Sequence, residues 1–140
     1  MLLIQKIHSV RQTMIKHLMY IELKTGYNDD GPAWIGYVKT SKTGKTIYFN
    51  DHAFQRYNGA NANYIDIESG DEYWISGVKK RESNRHWAGH GKIAIDSRAV
   101  DEFLRLKGRE QLPSDYEVVE IADEFPVERV KDLLNQSDNQ

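Results

Sequence analysis

Apolar and polar positions alternate in short runs through the middle of the chain. From Tyr20 to Ile95 the expected strands are Tyr20–Leu23, Ala33–Lys39, Thr46–Asn50, Asn63–Ile67, Glu72–Lys79 and Lys92–Ile95. They are rich in β-branched and aromatic residues, which suit a pleated, half-buried surface. Between them lie TGYNDDGP, SKTGK, YNGAN, ESGD and SNRHWAGHG. These clusters of Gly, Asn, Asp and Ser carry turn chemistry, and Asn58-Gly59 and Ser69-Gly70 suit tight turns. The clearest hairpin joins ANYIDI to EYWISGV through ESGD. Several short strands at close spacing predict a mainly β (α+β) fold, a small SH3-like barrel or a strongly bent antiparallel sheet.

The pattern changes at both ends. In MLLIQKIHSVRQTMIKHL, the residues Leu3, Ile7, Val10, Met14 and Leu18 recur at helical spacing. Residues 1–18 therefore read as an N-terminal extension forming an amphipathic helix that docks on the core or on a second copy, giving a homodimer. Lys6 and His8 interrupt its apolar segment, and no small-residue cleavage site follows, so it does not suit a signal peptide. The β pattern is self-contained from MYIEL, which favours Met19 as the start. After Ile95, DSRAVDEFLRLKG predicts a helix capped by Asp96 or Ser97 and ended by Gly108. Val100, Phe103, Leu104 and the stem of Lys107 line its apolar face. YEVVEI (Tyr116 to Ile121) predicts another strand. PVERVKDLLNQ predicts a helix opened by Pro126, with Val127, Val130, Leu133 and Leu134 docking. The organisation is then an extension (1–18), a β-rich body with a closing helix (19–107) and an acidic strand-and-helix extension (108–140).

Composition narrows the picture. At 140 residues the chain fits one domain with a real core. It has no cysteine, which excludes disulfides and thiolate metal sites and fits a reducing, cytoplasmic setting. No run approaches the roughly 18 apolar residues of a membrane span. Net charge is −2, but residues 1–95 carry +4 and residues 96–140 carry −6.

Candidate chemistry is sparse. KTSKTGKT ends like a phosphate-binding P-loop, yet Lys39 stands where the first glycine should be. The flanking WIGYV and TIYF are strand-like, so Gly44 is expected to serve a hairpin. The richest segment is KKRESNRHWAGHGK: Lys79, Lys80, Arg81, Arg85 and Lys92 surround His86 and Trp87, with Glu82 the single acid. Cations neutralise phosphates and an indole stacks on an unpaired base, which suits RNA or single-stranded DNA on a basic aromatic hairpin over 79–92. The same mixture suits an acidic protein surface, and an ordinary solvated tip would need neither. His86 and His90 are four apart, a spacing for acid–base chemistry in a small hydrolase or nuclease, but Gly89 and Gly91 put them in a loop. His52 stands alone. Asp71 and Glu72 point to opposite faces of a strand and do not converge. No metal or organic cofactor is expected.

GPAWIGYVKTSKTGKTIYF, then ANYIDIESGDEYWISGVKK, then AIDSRAVDEFL, resembles a group of small bacterial β-rich proteins with the pattern GPA-IG-V, SKTGKT-Y, NY-D-E-G-EYWISG-K. The likeness covers roughly Met19 to Lys107. It implies a β-rich bacterial cytoplasmic domain and brings no activity with it. Some members of that group carry the label deoxyxylulose-phosphate synthase, but such an enzyme needs a much larger chain and a thiamine-diphosphate site. The pattern does not keep His52, His86 or His90, which counts against histidine catalysis.

The sequence therefore favours a non-enzymatic protein-binding module. Its expected contact residues are Tyr64, Tyr73, Trp74, Lys79, Lys80, Arg81, Arg85, His86 and Trp87, since aromatic and Arg side chains dominate interface energies.

Overall fold

Eight strands join in one continuous sheet, and six of them close on themselves. The computed structural model describes residues 16–24, 31–80, 91–122 and 126–138. The strands are β1 (Lys16–Leu23), β2 (Ala33–Thr40), β3 (Thr46–Phe49), β4 (His52–Arg56), β5 (Tyr64–Asp66), β6 (Glu72–Gly77), β7 (Ile93–Asp96) and β8 (Tyr116–Val119). Two helices follow β7 and β8 respectively: α1 (Val100–Lys107) and α2 (Val127–Asp138). The hydrogen-bonded order is β1-β6-β5-β4-β3-β2-β7-β8, and a β1–β2 pairing closes β1 to β6 into an antiparallel barrel. β2 makes this possible by splitting one edge. Its first residues pair in parallel with β7 (Ala33↔Ile93 to Ile35↔Ile95), and its last pair with β3 (Lys39↔Tyr48, Thr40↔Ile47).

Two-residue alternation sorts side chains between two cores. Ile21 of β1, Val38, Ile47, Phe49, Phe54, Tyr64, Tyr73 and Ile75 fill the barrel. The opposite face of β1, β2 and β7 carries Tyr20, Ala33, Ile35, Ile93 and Ile95, which Ala99 and Phe103 cover from the α1 side. All four residues of β3 are buried because both its faces are covered. Ile47 and Phe49 face the barrel, while Tyr48 meets Val130 of α2. Gly36 has a steric role: a Cβ there would lie 2.7 Å from the Phe49 ring. The bare backbone lets that ring fill the barrel.

Local chemistry sets the turns. Gly44, at φ +74°, sits in the β2–β3 hairpin, where Ser41 and Thr46 close the ladder, so the P-loop fragment is a turn. β4 is a strand that the sequence pattern did not suggest. Its turn from β3 is the pair Asn50-Asp51, with φ of 48° and 63°, the left-handed pair of a two-residue hairpin between Phe49 and His52. Asn and Asp tolerate that region, so no glycine marks the turn. Asn63 acts as a piece of backbone: its side chain donates to Ile75 O and accepts from Ile75 N, each at 2.8 Å. Asp96 caps the 3-10 turn Ser97–Ala99 that leads into α1, and Gly108 (φ 65°) ends α1.

The N-terminal end needs one correction. β1 begins at Lys16, so Lys16 to Leu18 are strand, where a helix through Leu18 was expected. Pairing with Lys39, Val38 and Tyr37 of β2 overrides the helical spacing. Residues 1–15, with the rest of that helix and its dimer contact, lie outside the described residues. The strands on either side of 79–92 are not neighbours in the sheet: β6 lies between β1 and β5, and β7 between β2 and β8. Residues 81–90, with most of the expected hairpin, lie outside the described residues. β8 pairs with β7 in parallel, and α2 packs on Tyr48 and Ala53.

Candidate functional site

The expected contact residues separate by burial. Tyr64 and Tyr73 are 8% and 6% exposed and sit in the barrel core, where their rings are chiefly packing groups. A strand alternates, and both rings fall on the inward register, cross-strand from one another. Trp74 points the other way and packs, half-buried, against the core beneath α1. Lys79 and Lys80 are exposed just beyond β6. Arg81, Arg85, His86, Trp87 and His90 lie outside the described residues.

Burial and charge act together on Tyr73. Its hydroxyl is pushed up to about 12, first by burial and then by the charges of Asp66 and Asp71. The neutral phenol is thus the form the fold favours. Its contribution to stability is full below the ordinary 10.0 and is lost as pH rises from there toward about 12. Tyr73→Phe should therefore flatten the loss of stability over that alkaline window, measured by urea unfolding at stepped pH. An unchanged alkaline slope would show that Tyr73 does not set it.

Two places on the described surface gather polar groups. The first lies at the end of the barrel. His52 Nδ1 lies 2.9 Å from Asp66 Oδ2, and Asp66 Oδ1 accepts the backbone N–H groups of Glu68 and Ser69 at 2.9 and 3.3 Å. Arg129 of α2 ties both adjoining turns, bonding Glu68 at 2.8 Å and Asp51 at 3.2 Å. Those two carboxylates, Glu68 first, hold the guanidinium above its already high ordinary value. Beside His52 is a hollow lined by Trp34, Phe49, Asn50, Phe54 and Tyr73. At about 190 Å3 with its open mouth, it falls short of the roughly 300–1,000 Å3 of ligand pockets. Among the described residues no set of three His, Cys, Asp or Glu side chains could hold a metal. The sequence held the pieces of this cluster, but His52 and Asp66 are 14 residues apart and nothing in their spacing links them.

The second place is cationic and better exposed. α1 ends with Lys107, whose ammonium lies 5.9 Å from the centre of the Phe103 ring. Arg109 follows the Gly108 cap, and Lys79 comes in from the end of β6. Burial first, then the positive charges of Arg109 and Lys79, hold the Lys107 ammonium below its ordinary value. Val78 packs into the same apolar cluster as Phe103 and Leu104, which seats the end of β6 against α1. Lys79, Lys107 and Arg109 thus form a cationic shelf drawn from two elements distant in sequence. The spacing within α1 gave Lys107 only as a stem on the apolar face. Its approach to Lys79 is a product of the fold.

Comparison with known protein families, curated proteins and solved structures finds no match to this chain. Among the described residues no helix is long and apolar enough to cross a membrane.

Proposed function

We propose that this chain is a non-enzymatic protein-binding module that receives an acidic segment of its partner on the cationic shelf. The observation that carries this reading is the convergence of Lys79, Lys107 and Arg109 at the end of α1, where burial and the charges of Arg109 and Lys79 all oppose the charge on Lys107. Like charges held together repel, and an anionic partner turns that repulsion into attraction.

A short peptide rich in Glu and Asp should bind the protein, with affinity falling as salt rises. Lys79→Glu with Lys107→Glu should weaken that binding at least about tenfold, in line with charge pairs at interfaces. Circular dichroism would confirm that the fold is kept. Wild type that ignores the peptide, or a variant that binds it equally well, would remove the shelf from the site. Tighter binding of a single-stranded oligonucleotide, with a steep salt slope, would move the reading to nucleic acid.

A further inference from the structure

Four aromatic rings, those of Trp34, Phe49, Phe54 and Tyr73, wall the hollow beside His52. They come from four different strands, β2, β3, β4 and β6. The rings of Phe54 and Tyr73 lie 4.6 Å apart between centres, and His52 stacks on Phe54 at 6.0 Å. The hollow is open at its mouth, and its enclosed part has room for one water-sized group.

The field at this place is negative. Burial first, and then the charges of Asp66 and Asp71, push the Tyr73 hydroxyl up to about 12, so two carboxylates act on the wall of the hollow. A cation placed there gains from the same field. Asp51 and Glu68 are already bridged by Arg129 and leave that field to Asp66 and Asp71. His52 contributes a lone pair. Asp66 Oδ1 accepts two backbone N–H groups, and Oδ2 lies 2.9 Å from His52 Nδ1. An ionised carboxylate only accepts, so Nδ1 carries the hydrogen and Nε2 of the neutral ring is left as an acceptor. Aromatic rings attract cations through their π faces. An ammonium is compact and carries three donors, whereas a guanidinium is a wider, planar group. Room for one water-sized group selects the ammonium.

We propose that this hollow receives the ammonium head of a lysine side chain presented by a partner protein. The rings and the carboxylate field hold the charge, the His52 acceptor takes one N–H, and the lysine stem lies across the mouth. The shelf is cationic and takes acids, and the two places share no residue, so this site stands or falls separately from it.

The test adds capped Gly-Lys-Gly to the full chain at fixed ionic strength, beside the same peptide with Nε-acetyl-lysine or arginine at its centre. Chemical shifts of the Trp34 indole N–H and the His52 ring report on the hollow. The lysine peptide should move both saturably, with a dissociation constant on the order of 10 mM, as suits one small group. The other two peptides should bind at least about fivefold more weakly, because one lacks the charge and the other exceeds the room. Trp34→Leu keeps apolar bulk without the ring and should cost a similar factor. Asp71→Asn, at an exposed position, should weaken the lysine peptide with the fold intact. Both variants should still bind the acidic peptide at the shelf. Equal binding of the acetylated or the arginine peptide would overturn the proposal. Shifts confined to other residues, no saturable shift at about 100 mM peptide, or folded variants that bind as wild type would overturn it as well.

Discussion

Lys24→Met should destabilise the fold by about 3–5 kcal/mol, the usual cost of stripping one partner from a buried ion pair. Glu22 is fully buried and the Lys24 side chain is 2% exposed, with Nζ 2.7 Å from Glu22 Oε2. The Tyr20 hydroxyl donates to the other carboxylate oxygen. Tyr20 and Glu22 share the face of β1 that turns away from the barrel, and Lys24 follows just past the end of the strand. Without Lys24 the carboxylate keeps its tyrosine but loses its neighbouring ammonium in a desolvated place. Glu22→Leu combined with Lys24→Met removes both charges and should recover most of the loss, because a buried pair gains little over apolar packing. Urea unfolding reads both through the midpoint at constant slope. A loss below about 1 kcal/mol for Lys24→Met would mean that water or a rearranged side chain reaches Glu22.

Phe103→Ala should cost about 3–5 kcal/mol, the range for deleting a buried aromatic ring, and should also remove binding at the shelf. Phe103 is 1% exposed and is the one residue of α1 that is fully buried. It packs with Tyr20, Ile35, Ile93 and Ile95, touches Tyr116 of β8 and lies under the Lys107 ammonium. Its loss leaves α1 with the half-buried Val100 and Leu104 to hold it. Lys107 and Arg109 then lose their fixed distance to Lys79. Phe103→Leu should cost less and keep acidic-peptide binding near wild type, which separates the position of α1 from the ring itself. Peptide binding that survives in a folded Phe103→Ala protein would detach the shelf from the seating of α1.

The sequence carried most of the barrel. Alternation in Ala33 to Lys39 and Glu72 to Lys79, with turn residues between, marked strands that are present within about two residues of their expected ends. The α1 boundaries were legible because Asp96 and Gly108 are chemical signals that act locally. β4 was missed because Asn50-Asp51 makes its left-handed turn without glycine, and because HAFQR alternates over too few residues to stand out. The helical spacing up to Leu18 misled at Lys16 to Leu18, where β2 supplies a ladder that no local pattern announces. The same limit governs the site. Trp74 and Lys79 were legible as candidate side chains, but the burial of Tyr64 and Tyr73 depends on which face of each strand turns inward. The meeting of Lys79 with Lys107 and Arg109 depends on α1 packing across β7 and β2. Those are products of closure, and single segments do not contain them.

The most direct measurement compares tagged wild type with Lys79→Glu, Lys107→Glu in capture from a bacterial lysate treated with nuclease, eluted at rising salt. The account expects a protein retained in stoichiometric amount by wild type after nuclease, released by salt and absent from the variant. Bound material that disappears with nuclease, or a protein held equally by both, would contradict it.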